Sequence, residues 1–170
     1  MDRKELDRLK SLVFSVFHSD ESIVNVWLFG SRARGDNREN SDYDILLTCD
    51  PERTGISISF AVLFEYQEYL EQELGNTVDM HEMNPYLETN DPDFDFEIRR
   101  DRILLYNCNG LDQVQASQVD QKILEQQRQY MKRFGNTEGR QTSVSAELEA
   151  IRSYVKNRRS MILEVTAKAR

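Results

Sequence analysis

Asp42 and Asp44 stand one residue apart at the head of the apolar run Ile45-Leu46-Leu47. They follow the pair Gly30-Ser31 across ten polar or small residues. On a strand, residues two apart point the same way, so the two carboxylates share one face. Such neighbours repel unless a proton or a cation stands between them. Glycine lets a backbone approach a ligand closely, and free N–H groups in a tight turn, above all at a helix start, favour an anion. Ser31 adds a hydroxyl donor, and the guanidinium forks of Arg32 and Arg34 suit phosphate oxygens. Hard carboxylate oxygens suit Mg²⁺, which is commonly held by one or two carboxylates together with substrate phosphates. Each feature alone has a plain alternative: a solvated strand edge, a turn cap, arginines facing water. Together, Gly30, Ser31, Arg32, Arg34, Asp42 and Asp44 describe a nucleoside-triphosphate site.

These residues need elements to hold them. Leu6, Leu9, Leu12, Val13, Val16 and Phe17 recur at helical spacing and predict an amphipathic helix ending near Asp20. "IVNVWLFG" predicts a buried strand ending at Gly30, and "YDILLTCD" a second strand closed by Asp50-Pro51. "SFAVLFEYQEYLEQELG" has helical periodicity and stops at Gly75, a residue suited to a helix C-cap. "NTVDMHEM" is a third short strand, "NDPDFDF" an acidic loop, and "FEIRRDRILLYN" a short helix followed by a last strand over residues 103–106. The predicted class is mixed α/β (α+β): a small mixed sheet flanked by helices over residues 1–107. Residues 108–170 form a helical extension with patterns over about 112–134 and 144–167. Neither helix is self-sufficient, so each needs an apolar partner on the α/β unit or on another chain.

Composition narrows the setting. Residues 1–110 hold 11 basic and 23 acidic side chains, a charge of −12, whereas residues 111–170 hold 11 and 7, a charge of +4. Duplex nucleic acid is a poor match for so acidic a surface, and the basic tail suits an acidic protein, the chain's own acidic domain or RNA, the first two ahead because the tail carries no recognisable nucleic-acid-binding module. No apolar stretch reaches the roughly 18 residues of a membrane span, and the acid-bearing N-terminus lacks a signal-peptide pattern. Cys49 and Cys108 match no zinc or disulfide spacing, consistent with a reduced, cytoplasmic setting.

"GSRARGDNRENSDYD" resembles, position for position, the Gly-Ser, ten residues, Asp-X-Asp signature of the DNA polymerase beta nucleotidyltransferase superfamily. Ala33-Arg34-Gly35 after the serine makes it most similar to the minimal nucleotidyltransferases of bacteria and archaea. The resemblance spans roughly residues 6–106 and implies the nucleotidyltransferase fold. It implies a third carboxylate on a later strand, where Asp79 sits, with Glu82 as the fallback. It also implies two Mg²⁺ ions on Asp42, Asp44 and Asp79, with ATP as substrate. His81, two residues past Asp79, can share its face. Tyr43 points away from the aspartates, Trp27 belongs to the core, and Gly35 answers a backbone requirement.

Minimal members typically act beside a helical partner of the HEPN class, an antitoxin transferring AMP onto a tyrosine of its toxin. The toxin's Arg-X(4–6)-His signature has no counterpart here, so the partner is a separate chain. The extension of about 60 residues beyond the "ILLY" strand departs from the minimal pattern. Two alternatives stand beside this expectation. One is a small-molecule transferase of the aminoglycoside-modifying kind, using acids such as those of "ETNDPDFDFE". The other is a non-catalytic binding antitoxin.

Overall fold

A computed structural model describes residues 1–54, 57–84 and 92–134. The elements run α1 (Arg3–Phe17), β1 (Ile23–Phe29), α2 (Gly30–Arg34), β2 (Tyr43–Cys49), α3 (Pro51–Thr54) and α4 (Phe60–Leu74). Then follow β3 (Val78–Glu82), α5 (Pro92–Asp101), β4 (Ile103–Asn107) and α6 (Gln113–Phe134). Asp2 caps α1 by accepting from the Glu5 N–H at 2.8 Å, relieving one of the unpaired donors at a helix start.

The strands form one mixed sheet in the order β3-β2-β1-β4. β1 pairs antiparallel with β2 and with β4, while β2 and β3 run parallel. Both faces of this sheet are covered, which explains why β1 and β2 read as continuous apolar runs and not as alternating ones. On one face, Val26, Leu28, Tyr43, Ile45, Leu47, Val78 and Met80 pack against Leu9, Val13 and Phe17 of α1 and Val62, Tyr66 and Leu70 of α4. On the other, Trp27, Phe29 and Leu46 pack against Ile98 of α5 and Ala116 and Leu124 of α6. Fully burying side chains of this size contributes roughly 1.5–3 kcal/mol each.

The second face also carries a buried polar network. Asp120 of α6 accepts from Asn25 at 2.7 Å and from Thr48 at 2.8 Å. Arg102 lies 2.7 Å from Asp120, close enough for an ion pair but off the angle of a hydrogen bond, and its guanidinium sits 4.0 Å over the Trp27 ring. Burial pushes the Asp120 carboxyl up from its ordinary pKa, and the Arg102 charge pulls it back. The first helical pattern after residue 107 is therefore a layer of the core. The second, residues 144–167, lies outside the described residues.

Two local differences from the sequence expectation have physical causes. Residues 30–34 are one turn of helix, not an open turn, since five residues with a single apolar side chain leave no periodicity to detect. The expected acidic loop is instead the start of α5, where Pro92 opens the helix and Asp93 and Asp95 suit the positive end of its dipole. Among the described residues, no helix is long and apolar enough to cross a membrane.

Candidate nucleotidyltransferase site

Register brings the acids together. Asp44 of β2 stands opposite Phe29 of β1 and opposite Asp79 of β3. Strands about 4.8 Å apart thus hold Asp44 and Asp79 side by side, and Asp42, just before β2, lies close enough for its charge to raise the pKa of Asp44. That end of the sheet is also where β1 stops and α2 begins. Gly30 has a φ of +68°, and a Cβ there would fall 2.0 Å from Asp44 Oδ2. Glycine is required at this position twice over: by the left-handed backbone and by the carboxylate lying against it. Gly35, at φ +81°, closes α2 in the left-handed conformation, and its N–H donates to Ser31 O.

The electrostatics are those of an unbalanced site. Asp44 is pushed up to about 6, first by burial, then by the charges of Asp42 and Asp79; His81 and Arg34 pull it partly back. Beside two more carboxylates, Asp44 is only partly compensated by its own chain. Such a set of hard oxygen donors fits a divalent cation in chemistry. It is not a closed cage: among the described residues no three His, Cys, Asp or Glu side chains already stand at ligand spacing. The strands supply the donors, and the phosphates of a substrate would supply the rest.

The other predicted residues separate. Ser31 and Arg34 lie on α2 at the site, with Arg34 near enough to Asp44 to lower its pKa and bonded through Nε to Asp36 at 3.2 Å. Arg32, expected with the phosphate contacts, is turned inward instead: its side chain is only 4% exposed. Nε donates to Ser41 O and Asp42 O, both at 3.0 Å; Nη2 donates to Ser41 O at 2.6 Å; and Nη1 meets Glu5 at 2.8 Å. Its plane covers the Tyr43 ring at 3.8 Å. Arg32 therefore braces the segment that carries Asp42, because a buried guanidinium must satisfy its donors and this loop offers the carbonyls.

Tyr43 faces away from the aspartates as expected, and its hydroxyl donates to Glu5 at 2.9 Å. Glu82 belongs to the opposite face: it is buried and accepts from the Ile58 N–H at 3.0 Å and from the Ser57 hydroxyl. Strand parity from Asp79 already separated the two. His81 does share the face of Asp79, with Nε2 at 3.1 Å from Asp79 Oδ2. Glu5 is the member of this region that sequence reasoning missed. Its partners lie 27 and 38 residues away, and it looks like any acid of a helix's first turn.

With this geometry, the match to known families has a physical basis. The family model described as "Polymerase beta, Nucleotidyltransferase" matches residues 13–110, and the chain belongs to that nucleotidyltransferase family. No curated protein sequence matches it. Among solved structures, the chain is 16% identical to a toxin–antitoxin protein crystallised with AMP-PNP, over 87% of this chain and 98% of that one, with a TM-score of 0.50. A structure of a tri-AMPylated Shewanella oneidensis HEPN toxin with its MNT antitoxin gives 12% identity, 86% and 98% coverage, and a TM-score of 0.47. A candidate nucleotidyltransferase from Sulfolobus solfataricus gives 24% identity, 63% and 84% coverage, and a TM-score of 0.40. At 16% identity, the likeness to the first of these is one of fold.

Proposed function

We propose that this protein is a Mg²⁺-dependent nucleotidyltransferase that transfers AMP from ATP to a tyrosine hydroxyl of a HEPN-type toxin, acting as the antitoxin of the pair. The observation that carries the chemistry is the convergence of Asp42, Asp44 and Asp79 beside the Gly30-Ser31 start of α2. Support for the acceptor comes from the motif's likeness to the minimal antitoxin type and from the AMP-PNP-bound toxin–antitoxin relative of the same fold.

Asp42, Asp44 and Asp79 are the residues that would hold Mg²⁺, which when bound neutralises triphosphate charge and polarises the α-phosphate. The chain's own contribution is positional, since phosphoryl-type transfer leaves little covalent work to a protein. Gly30 opens space for the phosphates and for the Asp44 carboxylate, and the N–H groups and hydroxyl of Ser31 receive phosphate oxygens. Arg34, at the surface of α2, offsets negative charge, while Arg32 keeps the Asp42 segment rigid. The tyrosine oxygen forms its bond to the α-phosphorus as the bond to the α,β-bridging oxygen breaks. Pyrophosphate leaves in line, and the hydroxyl proton passes to a carboxylate of the site, the role the family resemblance gives to Asp79.

The test is to incubate the full chain with labelled ATP, Mg²⁺ and the helical protein encoded beside it. Label on a partner tyrosine is expected, together with its loss in Asp42→Asn. Label that survives Asp42→Asn would overturn the assignment of the site. Full neutralisation of the partner by the Asp42→Asn, Asp44→Asn double variant would overturn transfer as the antitoxin activity.

A further inference from the structure

Asp79 is exposed, with a side chain 53% accessible, and a carboxylate so open has two oxygens to offer. One of them is already engaged. His81 Nε2 stands 3.1 Å from Oδ2, within ion-pair reach of that oxygen. The imidazole is held as well: its ring meets Phe29 edge-on, with centroids 5.9 Å apart and planes at 62°. Phe29 in turn is buried with Trp27, Leu46 and Ile98, so the contact ties the histidine to the core and not to a mobile side chain. β3 supplies the spacing, since residues 79 and 81 share a face, and β2 places Asp44 directly opposite Asp79.

We propose that His81 is the positioning residue of the third carboxylate: by holding Oδ2 of Asp79, it presents Oδ1 alone to a divalent cation and so favours Mg²⁺ over Ca²⁺. The inference rests on the nucleotidyltransferase reading of the three aspartates and adds to it a residue and a selectivity. The chemistry follows from the two ions. Mg²⁺ is small, demands near-octahedral geometry and takes carboxylates through one oxygen, whereas Ca²⁺ is larger and readily accepts both oxygens of one carboxylate. Donors around a ligating carboxylate fix its orientation, and removing such a partner typically costs 10–100-fold in metal affinity. Without His81, Asp79 could rotate to chelate, which weakens the site for Mg²⁺ and leaves Ca²⁺ less affected. The histidine acts through Asp79, so no contact with substrate is required of it.

Calorimetric titration of Mg²⁺ and of Ca²⁺ into the full chain with AMP-PNP tests this in the wild type, His81→Leu and His81→Gln. His81→Leu should lower the Mg²⁺-to-Ca²⁺ affinity ratio about tenfold. His81→Gln, which keeps an N–H at similar reach, should restore the ratio to within about threefold. Because the side chain of His81 is 31% accessible, both variants should unfold at the wild-type temperature. An unchanged ratio in His81→Leu, or equal losses in Leu and Gln, would overturn the positioning role while leaving the nucleotidyltransferase site intact. A wild-type chain that binds neither cation with AMP-PNP would overturn the site and the positioning role together.

Discussion

Asp120 and Asp44 are both acids on the face of the sheet that α5 and α6 cover, only one strand's length apart, yet their surroundings are opposites. Asp120 sits over Thr48, and Thr48 lies four residues along β2 from Asp44, on the same face. Around Asp120 every neighbour is a donor: Asn25, Thr48 and the Arg102 cation. Around Asp44, burial and the charges of two more carboxylates outweigh His81 and Arg34, and its pKa is pushed up to about 6. A buried charge that has been compensated holds layers together. Like charges gathered without compensation lower stability and persist where an added ligand can balance them. One face of the sheet therefore meets a structural acid on α6 and, on β2, the acid proposed to serve the site, and what distinguishes them is the company each keeps.

Substitutions at the two ends should separate accordingly. The largest effect is expected from Asp42→Asn, which should reduce AMP transfer on the order of 10³-fold while leaving urea denaturation near wild type. A fall in stability comparable to the fall in rate would erase the contrast. Asp120→Ala should do the reverse, costing about 3–5 kcal/mol because it strands the Arg102 cation in the core; equilibrium unfolding measures this, and a cost under about 1 kcal/mol would mean the pair is solvated.

Arg32→Lys sits between the two classes. It keeps the charge but loses the forked contact to Ser41 O and Asp42 O and the cover over Tyr43. A stability cost of about 1–2 kcal/mol is expected. Mg²⁺ affinity should drop as well, and calorimetry that found stability lost but affinity kept would confine Arg32 to the fold.

The smallest effect has the most telling sign. Asp44→Asn should stabilise the metal-free protein by about 1 kcal/mol, a figure reduced for the solvent that still reaches this half-buried carboxyl. The sign follows from the folded-state pKa of about 6 lying above the ordinary 3.8. The folded chain binds the extra proton, so this group's contribution is greatest below about pH 3.8 and is lost as pH rises to about 6. The wild type should lose stability relative to Asp44→Asn across that window, as followed by thermal melts without metal. Excess Mg²⁺ should reverse the order at pH 7, because the cation binds the ionised carboxylate.

The sequence made one of these two regions visible and hid the other. The Asp42–Asp44 pair and the Gly30-Ser31 turn announced themselves because their spacing is short and strand parity converts spacing directly into a shared face, whereas Asp79 entered only through the family resemblance. The four strands and the helices α1, α4 and α6 were equally plain, since each buries a periodic apolar stripe. The Asp120 network left no such trace: Asn25, Thr48 and Arg102 are up to 95 residues from Asp120, and each alone is an ordinary polar residue. Arg32 misled for the same reason. A guanidinium suits a phosphate and a backbone carbonyl alike, and only the fold reveals that Glu5 and the Ser41 carbonyl lie within its reach. The start of α5 was hidden by acids and a proline, which resemble a loop until the dipole at a helix start is considered.

Trp27 is the chain's single tryptophan, and the fold seals it between the sheet and the α6 layer with a guanidinium stacked on its face. That placement makes the protein its own optical gauge. Emission excited at the indole comes from one site alone, dry and cation-capped while α6 is docked, and it shifts to the red once water replaces the helix. Loosening of the structural acid's end of the sheet can thus be followed by light, without a label, while the proposed nucleotide chemistry is assayed at the other.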